Sequence, residues 1–398
     1  MTNAKTVFVG MSGGVDSSVS ALLLKEQGYH VVGIYMKNWS KDLPGMKCPW
    51  AEDLADAKRV AVRLGIDFEV WDFEKEYYEK VVEYMLSEFK KGNTPNPDIM
   101  CNQEIKFKLF YEKAMQAGAD YIATGHYARA RQPESYYLGT GSRRPVVTGG
   151  APLATSVVTS GAPQAMAFGL PKLLLRAVDE NKDQTYFLYR ISNEALAHTL
   201  FPIGDMLKPD VKKLAEKHGL HNAYKKESMG VCFIGEVGMK DFLKSYIDIR
   251  PGEIREAETE KVLGYHEGAV FYTIGQRHGL YLDGEKGVVN DGLPYYVVKK
   301  DVKNNIVYVS KNLNHEAIWT NKLKLKDIVL RTENDSPNSD ISQTKQILVR
   351  LRHRAPLLKA TFDGETLHFE KEIKRPAAGQ SAVLYDGEVC LGGGIIAE

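Results

Sequence analysis

The stretch that decides the fold is TVFVGMSGGVDSS, residues 6–18. TVFVGM (6–11), with an apolar, β-branched core, reads as a buried strand, and SSVSALLLKEQG (17–28) then reads as a helix closed by Gly28. Between them Ser12-Gly13-Gly14-Val15-Asp16-Ser17 forms a strand-to-helix turn. Its two glycines let backbone N–H groups approach an anion, Ser12 and Ser17 add hydroxyls, and the helix N-terminus adds partial positive charge. The lysine of a GxxxxGK[ST] loop is missing, so this is a phosphate loop of another kind.

Outward from this turn the alternation continues. Strands are expected at 30–39, 68–73 and 120–125, and helices at 52–65, 76–92 and 105–119. Strands separated by helices imply a doubly wound parallel α/β sheet, whose ligands bind beyond the carboxyl ends of the strands. Chemistry is therefore expected just after Met11, Met36 and Gly125. Residues 139–170 lack any acidic residue and any helical period, which reads as a flexible insertion. Helix is expected again at 192–201 and 208–220. From about 245 onward short β segments dominate, EGAVFYTIG (267–275) among them, ending in a barrel. These shifts suggest a catalytic domain over 1–240, a small β-rich domain over 241–308 and a C-terminal β-barrel over 309–398.

The 398 residues carry 52 Lys and Arg against 51 Asp and Glu, a net charge of +1, so any nucleic-acid surface must be local. Two local clusters stand out: Lys208, Lys212, Lys213, Lys217, Lys225 and Lys226, and Arg350, Arg352, His353 and Arg354. The plain reading of the first is a solvated helix face. No apolar run approaches a membrane span and MTNAKTVFVG has no signal-peptide layout, so a cytoplasmic protein without a membrane partner is expected. Four scattered cysteines (Cys48, Cys101, Cys232, Cys390) and no CxxC argue against a secreted disulfide framework or a zinc ribbon. Taken alone, each cysteine reads as a small core residue.

The flanks of two of them change that reading. NPDIMCN (96–102), GHYAR (125–129), KDQTYFL (182–188), FPIGD (201–205), KKESMGVCFIG (225–235), TIGQRHGL (273–280) and GQSAVLYDGEVCLGGGII (379–396), in that order, resemble the tRNA-specific 2-thiouridylases. The loop SGGVDS resembles that of the N-type ATP pyrophosphatases, implying an adenine nucleotide alpha hydrolase-like catalytic domain that cleaves ATP to AMP and pyrophosphate. The resemblance implies ATP held by Gly10, Met11, Ser12, Gly13, Gly14, Val15, Asp16 and Ser17, with Met36 and Gly125 flanking the adenine. It implies Mg²⁺ beside Asp16, no protein metal site and no stable prosthetic group. Cys232 would carry a persulfide and Cys101 act as the second nucleophile, the two forming a transient disulfide, with Asp98 as acid/base. Asn96, Pro97, Asp98 and His126 would meet the target base. Lys182, Asp183, Gln184, Arg352, His353 and Gln380 would contact the tRNA, whose anticodon loop is the expected substrate, with a sulfur-donor protein as the other partner.

Three rival readings separate cheaply. Amide-forming ATP pyrophosphatases, such as an NAD or GMP synthetase, need no cysteine pair. The 4-thiouridine and cytidine thiolases usually carry accessory domains or CxxC motifs not found here. A non-catalytic RNA-binding protein would not need an intact loop and both cysteines.

Overall fold

The computed structural model describes residues 4–42, 48–132, 172–226, 239–280, 282, 293–331 and 346–397. The strand Thr6–Gly10 sits at the centre of a five-stranded sheet ordered Asp67–Asp72, His30–Lys37, Thr6–Gly10, Tyr121–Thr124, Thr199–Leu200. Every neighbouring pair runs parallel. A parallel sheet is covered on both faces, and the central strand shows it. Val7 and Val9 pack with Val15, Val19 and Leu22 of the helix Val15–Glu26, whereas Phe8 joins Ile99, Ile105 and Phe110 on the opposite face. The period of two along the strand thus divides the domain into two cores.

The helix expected at 105–119 begins earlier, at Pro97. Pro97–Met100 is one helical turn, followed by a π-helical stretch Cys101–Leu109 and then the helix Phe110–Gln116. The Asn96 side chain caps it, accepting from the N–H of Asp98 at 3.2 Å and of Ile99 at 3.4 Å, with Pro97 in the first turn. A Pro-rich segment that looks like a loop is thus an N-cap followed by an N1 proline. The helix expected at 192–201 is only Asn193–Ala197, after which Thr199–Leu200 adds the fifth strand. The strand expected at 267–275 is instead a single 3₁₀ turn, Ala269–Phe271, preceded by the strand Val262–His266. A short apolar run fits either state, and here Ala269 and Tyr272 turn into the small central core.

That central unit is a sheet ordered Tyr296–Asp301, Ile306–Ser310, Gly252–Glu256, Val262–His266. The C-terminal barrel closes through six strands, Trp319–Leu330, Thr366–Lys374, Leu358–Phe362, Gln346–Arg350, Ser381–Asp386 and Val389–Ile396, the last pairing back on the first. Closure there requires glycine: a Cβ on Gly392 (φ +122°) would lie 2.1 Å from the Val329 carbonyl oxygen.

The catalytic part and the barrel are not loosely tethered. Ala128–Arg131 and Leu173–Arg176 extend the barrel sheet through Val389. Tyr186 donates to the Ser381 carbonyl at 3.1 Å, and Tyr189 and Ser381 hydroxyls lie 3.0 Å apart. The fully buried Asp183 carboxylate accepts from Arg350 at 2.6 Å and from Thr185 at 2.9 Å. Removing one partner of such a pair strands the other charge in low dielectric and costs roughly 3–5 kcal/mol. Asp183→Ala should therefore lower the unfolding free energy by about that much in urea titration; a loss below about 1 kcal/mol would show the pair to be dispensable.

Candidate nucleotide and catalytic site

The chain runs outward in both directions from Thr6–Gly10, so the sheet's switch point lies between that strand and Tyr121–Thr124. Ligands of such sheets bind beyond the carboxyl ends of the strands at this point, and the Gly-rich loop and Gly125 both follow directly on those ends. The loop is held by its own hydroxyls. The Ser12 N–H donates to Ser17 Oγ at 3.2 Å, the Gly14 N–H to Ser12 Oγ at 3.4 Å, and Ser17 and Ser18 hydroxyls to the Gly14 carbonyl at 3.1 and 2.9 Å. Gly13 has φ +75°, and a Cβ there would meet the Asp53 carbonyl oxygen at 2.4 Å. A Cβ on Gly125 would lie 2.5 Å from Ser17 N and 2.7 Å from Asp16 C. Met11 and Val15 are buried beneath the loop, and the Met36 methyl reaches within 2.9 Å of where a Gly10 Cβ would stand. Gly10 to Ser17, Met36 and Gly125 therefore come together around one crevice.

Three residues that sequence reasoning missed complete it. Tyr127 donates to Asp16 Oδ1 at 2.9 Å, and Lys208 Nζ lies 2.7 and 2.8 Å from the two Asp16 oxygens. Asn222 donates to the Gly13 carbonyl and to Ser18 Oγ, both at 2.9 Å. The lysine cluster contained the signal, but its members separate: Lys208 is buried, while Lys212, Lys213, Lys217 and Lys226 are exposed. Lys225 bridges Asp53 and Asp56 at 2.7 and 2.6 Å. Burial opposes charge on Asp56, yet Lys225 and His221 hold its carboxyl below the usual range.

Cys101 is the first residue of the π stretch and is 1% exposed, inside the core that holds Ile99, Ile105 and Phe242. Such stretches recur at functional sites. Asp98, three residues earlier, is half-buried on the preceding turn. Cys232 falls in 227–238, outside the described residues, and so does the expected Cys101–Cys232 pairing; the segment 139–170 is outside them as well. Cys48 and Cys390 form no disulfide among the described residues. Burial pushes the Cys390 thiol up to about 11 and raises that of Cys48, which suits inert packing for both.

The residues expected to meet RNA divide. Asp183 is buried and engaged by Arg350 and Thr185, contacts that brace the domain joint. Gln184 accepts from the Tyr127 N–H at 2.9 Å, and Gln380 donates to the Thr94 carbonyl at 2.7 Å, holding the strap that leads to Asn96. Lys182 is half-buried and Arg352 exposed. His353 lies over Phe187 with ring centroids 4.6 Å apart. His126 sits between Phe107 and Phe201, its Nδ1 2.8 Å from Thr124 Oγ1, and burial keeps it neutral. No trio of acidic, His or Cys side chains that could hold a metal occurs among the described residues. The Asp16 carboxylate is already neutralised by Lys208 and hydrogen-bonded by Tyr127, so the donor set does not fit a protein-held Mg²⁺.

Comparison with known proteins agrees with this arrangement. Residues 5–148 and 154–236 match the family model described as tRNA methyl transferase HUP domain, 240–311 its PRC-barrel domain, and 320–396 the aminomethyltransferase beta-barrel domain. The chain is 42% identical over 402 residues to the tRNA-specific 2-thiouridylase of Staphylococcus saprophyticus, spanning 100% of this chain and 96% of that one. It is 43% identical to the Listeria monocytogenes enzyme of that name (98% and 94% covered) and 42% identical to that of Pseudomonas fluorescens (99% and 95%). The chain belongs to the tRNA-specific 2-thiouridylase family. Among solved structures, an NMN synthetase from Francisella tularensis aligns with TM-score 0.23 at 18% identity, over 30% of this chain and 45% of that one, too loosely to bear on the fold. The methyl-transfer wording belongs to the domain descriptions; the full-length 2-thiouridylase relatives are named for sulfur. The first family model skips only 149–153, so most of the stretch read as an insertion lies within the family's own span.

Two expectations follow from this geometry. Adding a methyl group at Gly125 forces a backbone shift in the loop, and overpacking of this kind costs roughly 1–3 kcal/mol. Gly125→Ala should weaken ATP binding about 10- to 100-fold by calorimetry, and unchanged affinity would show that the loop does not hold the nucleotide. The second concerns His353, lowered from 6.5 to about 4 by burial, with Arg354 and Arg350 adding to it. The folded state then binds fewer protons than the unfolded one, so this contribution to stability is complete above 6.5 and is lost as pH falls toward about 4. His353→Gln should flatten the decline of the urea midpoint across that window; an identical slope would refute it.

Proposed function

We propose that this chain uses ATP to replace the C2 oxygen of the tRNA wobble uridine with sulfur, through an adenylylated base and a cysteine persulfide. Family membership makes it a tRNA sulfurtransferase. The observation that carries the ATP half is the contact of Gly125 with Asp16 and Ser17, which sets a hydroxyl-rich phosphate loop at the sheet's switch point. The loop would cradle the β- and γ-phosphates as they depart. The uridine, turned out of the anticodon loop, would lie against Asn96, Pro97 and Asp98. Its C2 oxygen attacks the α-phosphorus, the N3 proton passes to Asp98, and pyrophosphate leaves with the electron pair of the broken P–O bond. Mg²⁺, bound with ATP, would supply charge neutralisation there.

Sulfur transfer follows in two displacements. The terminal sulfur of a Cys232 persulfide attacks C2 and AMP departs. Cys101, as thiolate, then attacks the Cys232 sulfur, breaking the S–S bond and leaving sulfur on the uridine and a Cys101–Cys232 disulfide. A cellular dithiol must reduce that disulfide, and a persulfide-carrying protein must reload Cys232. The cytoplasm, where tRNA and both helpers occur, is the setting this chemistry asks for. Among the described residues no helix is long and apolar enough to cross a membrane.

The test is to incubate the full chain with unmodified tRNA, ATP and a persulfide donor, and to analyse nucleosides and nucleotides by mass. 2-Thiouridine with AMP and pyrophosphate is expected; ADP and phosphate would sink the assignment. Cys232→Ser should trap no sulfane sulfur, whereas Cys101→Ser should load sulfur and adenylylate tRNA but stall. Sulfane sulfur found on Cys101 and never on Cys232 would reverse the two roles.

A further inference from the structure

The helix Lys208–Lys217 begins with a lysine whose position the loop's resemblance does not explain. Lys208 is 7% exposed, yet it comes from a segment far along the chain to place its ammonium on both oxygens of Asp16, the acid of the phosphate loop. Its approach is built from three sides. Its backbone N–H donates to Asp179 Oδ2 at 2.9 Å, its ammonium lies 5.7 Å from the centroid of the Tyr127 ring, and Tyr127 itself donates to Asp16. Gly125 presses on the backbone of Asp16 and Ser17 in the same place, so the pair sits at the mouth of the crevice and not on the outer helix face.

A carboxylate at the first turn of a phosphate-binding helix repels a triphosphate. A buried lysine that served only to cancel it would be an expensive device, since two charges must be desolvated for no net charge gained. We infer that Lys208 is a further catalytic residue, whose ammonium meets the pyrophosphate as it leaves. This rests on the ATP reading above. When the C2 oxygen of uridine attacks the α-phosphorus, the bond from that phosphorus to the α–β bridging oxygen breaks and its electron pair goes to pyrophosphate. Lys208 balances the charge that grows on this group, and Tyr127 keeps its hydrogen bond to Asp16 when the ammonium turns to the phosphate. A preorganised charge aimed at a leaving group acts mainly on the transition state.

The test uses the full chain and inorganic pyrophosphate as probe. Lys208→Met should weaken pyrophosphate binding at least about 10-fold by calorimetry, and should lower ATP–pyrophosphate exchange by about 100-fold, the loss seen when one preorganised donor is removed. The deciding comparison is made in an Asp16→Asn background, where no carboxylate needs cancelling and no buried charge is stranded if Lys208→Met disturbs folding. If Lys208 touches pyrophosphate, Lys208→Met weakens its binding there too, and Lys208→Arg recovers part of it. If the added substitution leaves pyrophosphate affinity unchanged in that background, Lys208 only neutralises Asp16 and the inference is overturned. Absence of any ATP–pyrophosphate exchange in the unsubstituted chain with tRNA would overturn the ATP reading instead.

Discussion

The nucleotide end of the molecule depends on a backbone contact too close for any side chain. Gly125 meets Asp16 and Ser17 at distances where a Cβ would stand 2.5 Å from a main-chain nitrogen. The contact joins the carboxyl ends of two adjacent parallel strands, Thr6–Gly10 and Tyr121–Thr124, and so fixes the mouth of the crevice. Gly13 makes a second such contact, with the Asp53 carbonyl of the helix Trp50–Leu64. The loop is therefore held between main chains on two sides. The course of its main chain is thus fixed in advance, and preorganisation of this kind is what electrostatic stabilisation of a leaving group requires.

Much of this was legible in the residues, and for definite reasons. Val7, Phe8 and Val9 between turn signals announce a strand buried on both faces, and SGGVDS at its end announces the anion site. What escaped was everything set by partners distant in sequence. Lys208 and Lys213 look alike in a list of lysines, but the first is buried on Asp16 and the second pairs with Asp210 at the surface. Asn96 looked like part of a loop because its neighbours are prolines, yet the same three residues make a capped helix start. The resemblance assigned Asp183 to the tRNA with Lys182 and Gln184; only the fold brings Arg350 to it.

The barrel's part in the chemistry also looks different once its contacts are known. Gln380 and the Ala378 carbonyl grip Thr94 from both sides, at 2.7 and 2.8 Å, just before the cap at Asn96. Tyr186 and Tyr189 tie the turn after Gln184 to Ser381 in the same strand. A domain that touches RNA through Arg352 would thus be mechanically continuous with the helix that presents Asp98 and Cys101. Under the proposed function, contacts made by the barrel could contribute through these ties to orientation at that helix.

The segments on either side of residues 227–238 are both firmly anchored. On the N-terminal side His221, Asn222 and Lys225 bind Asp56, the Gly13 carbonyl and Asp53, so that end is fastened to the nucleotide loop and the helix behind it. On the C-terminal side Phe242 is fully buried in the cluster that contains Cys101, 6.2 Å from the Trp39 ring. The chain that carries Cys232 therefore leaves from the anion site and returns to the apolar core around Cys101.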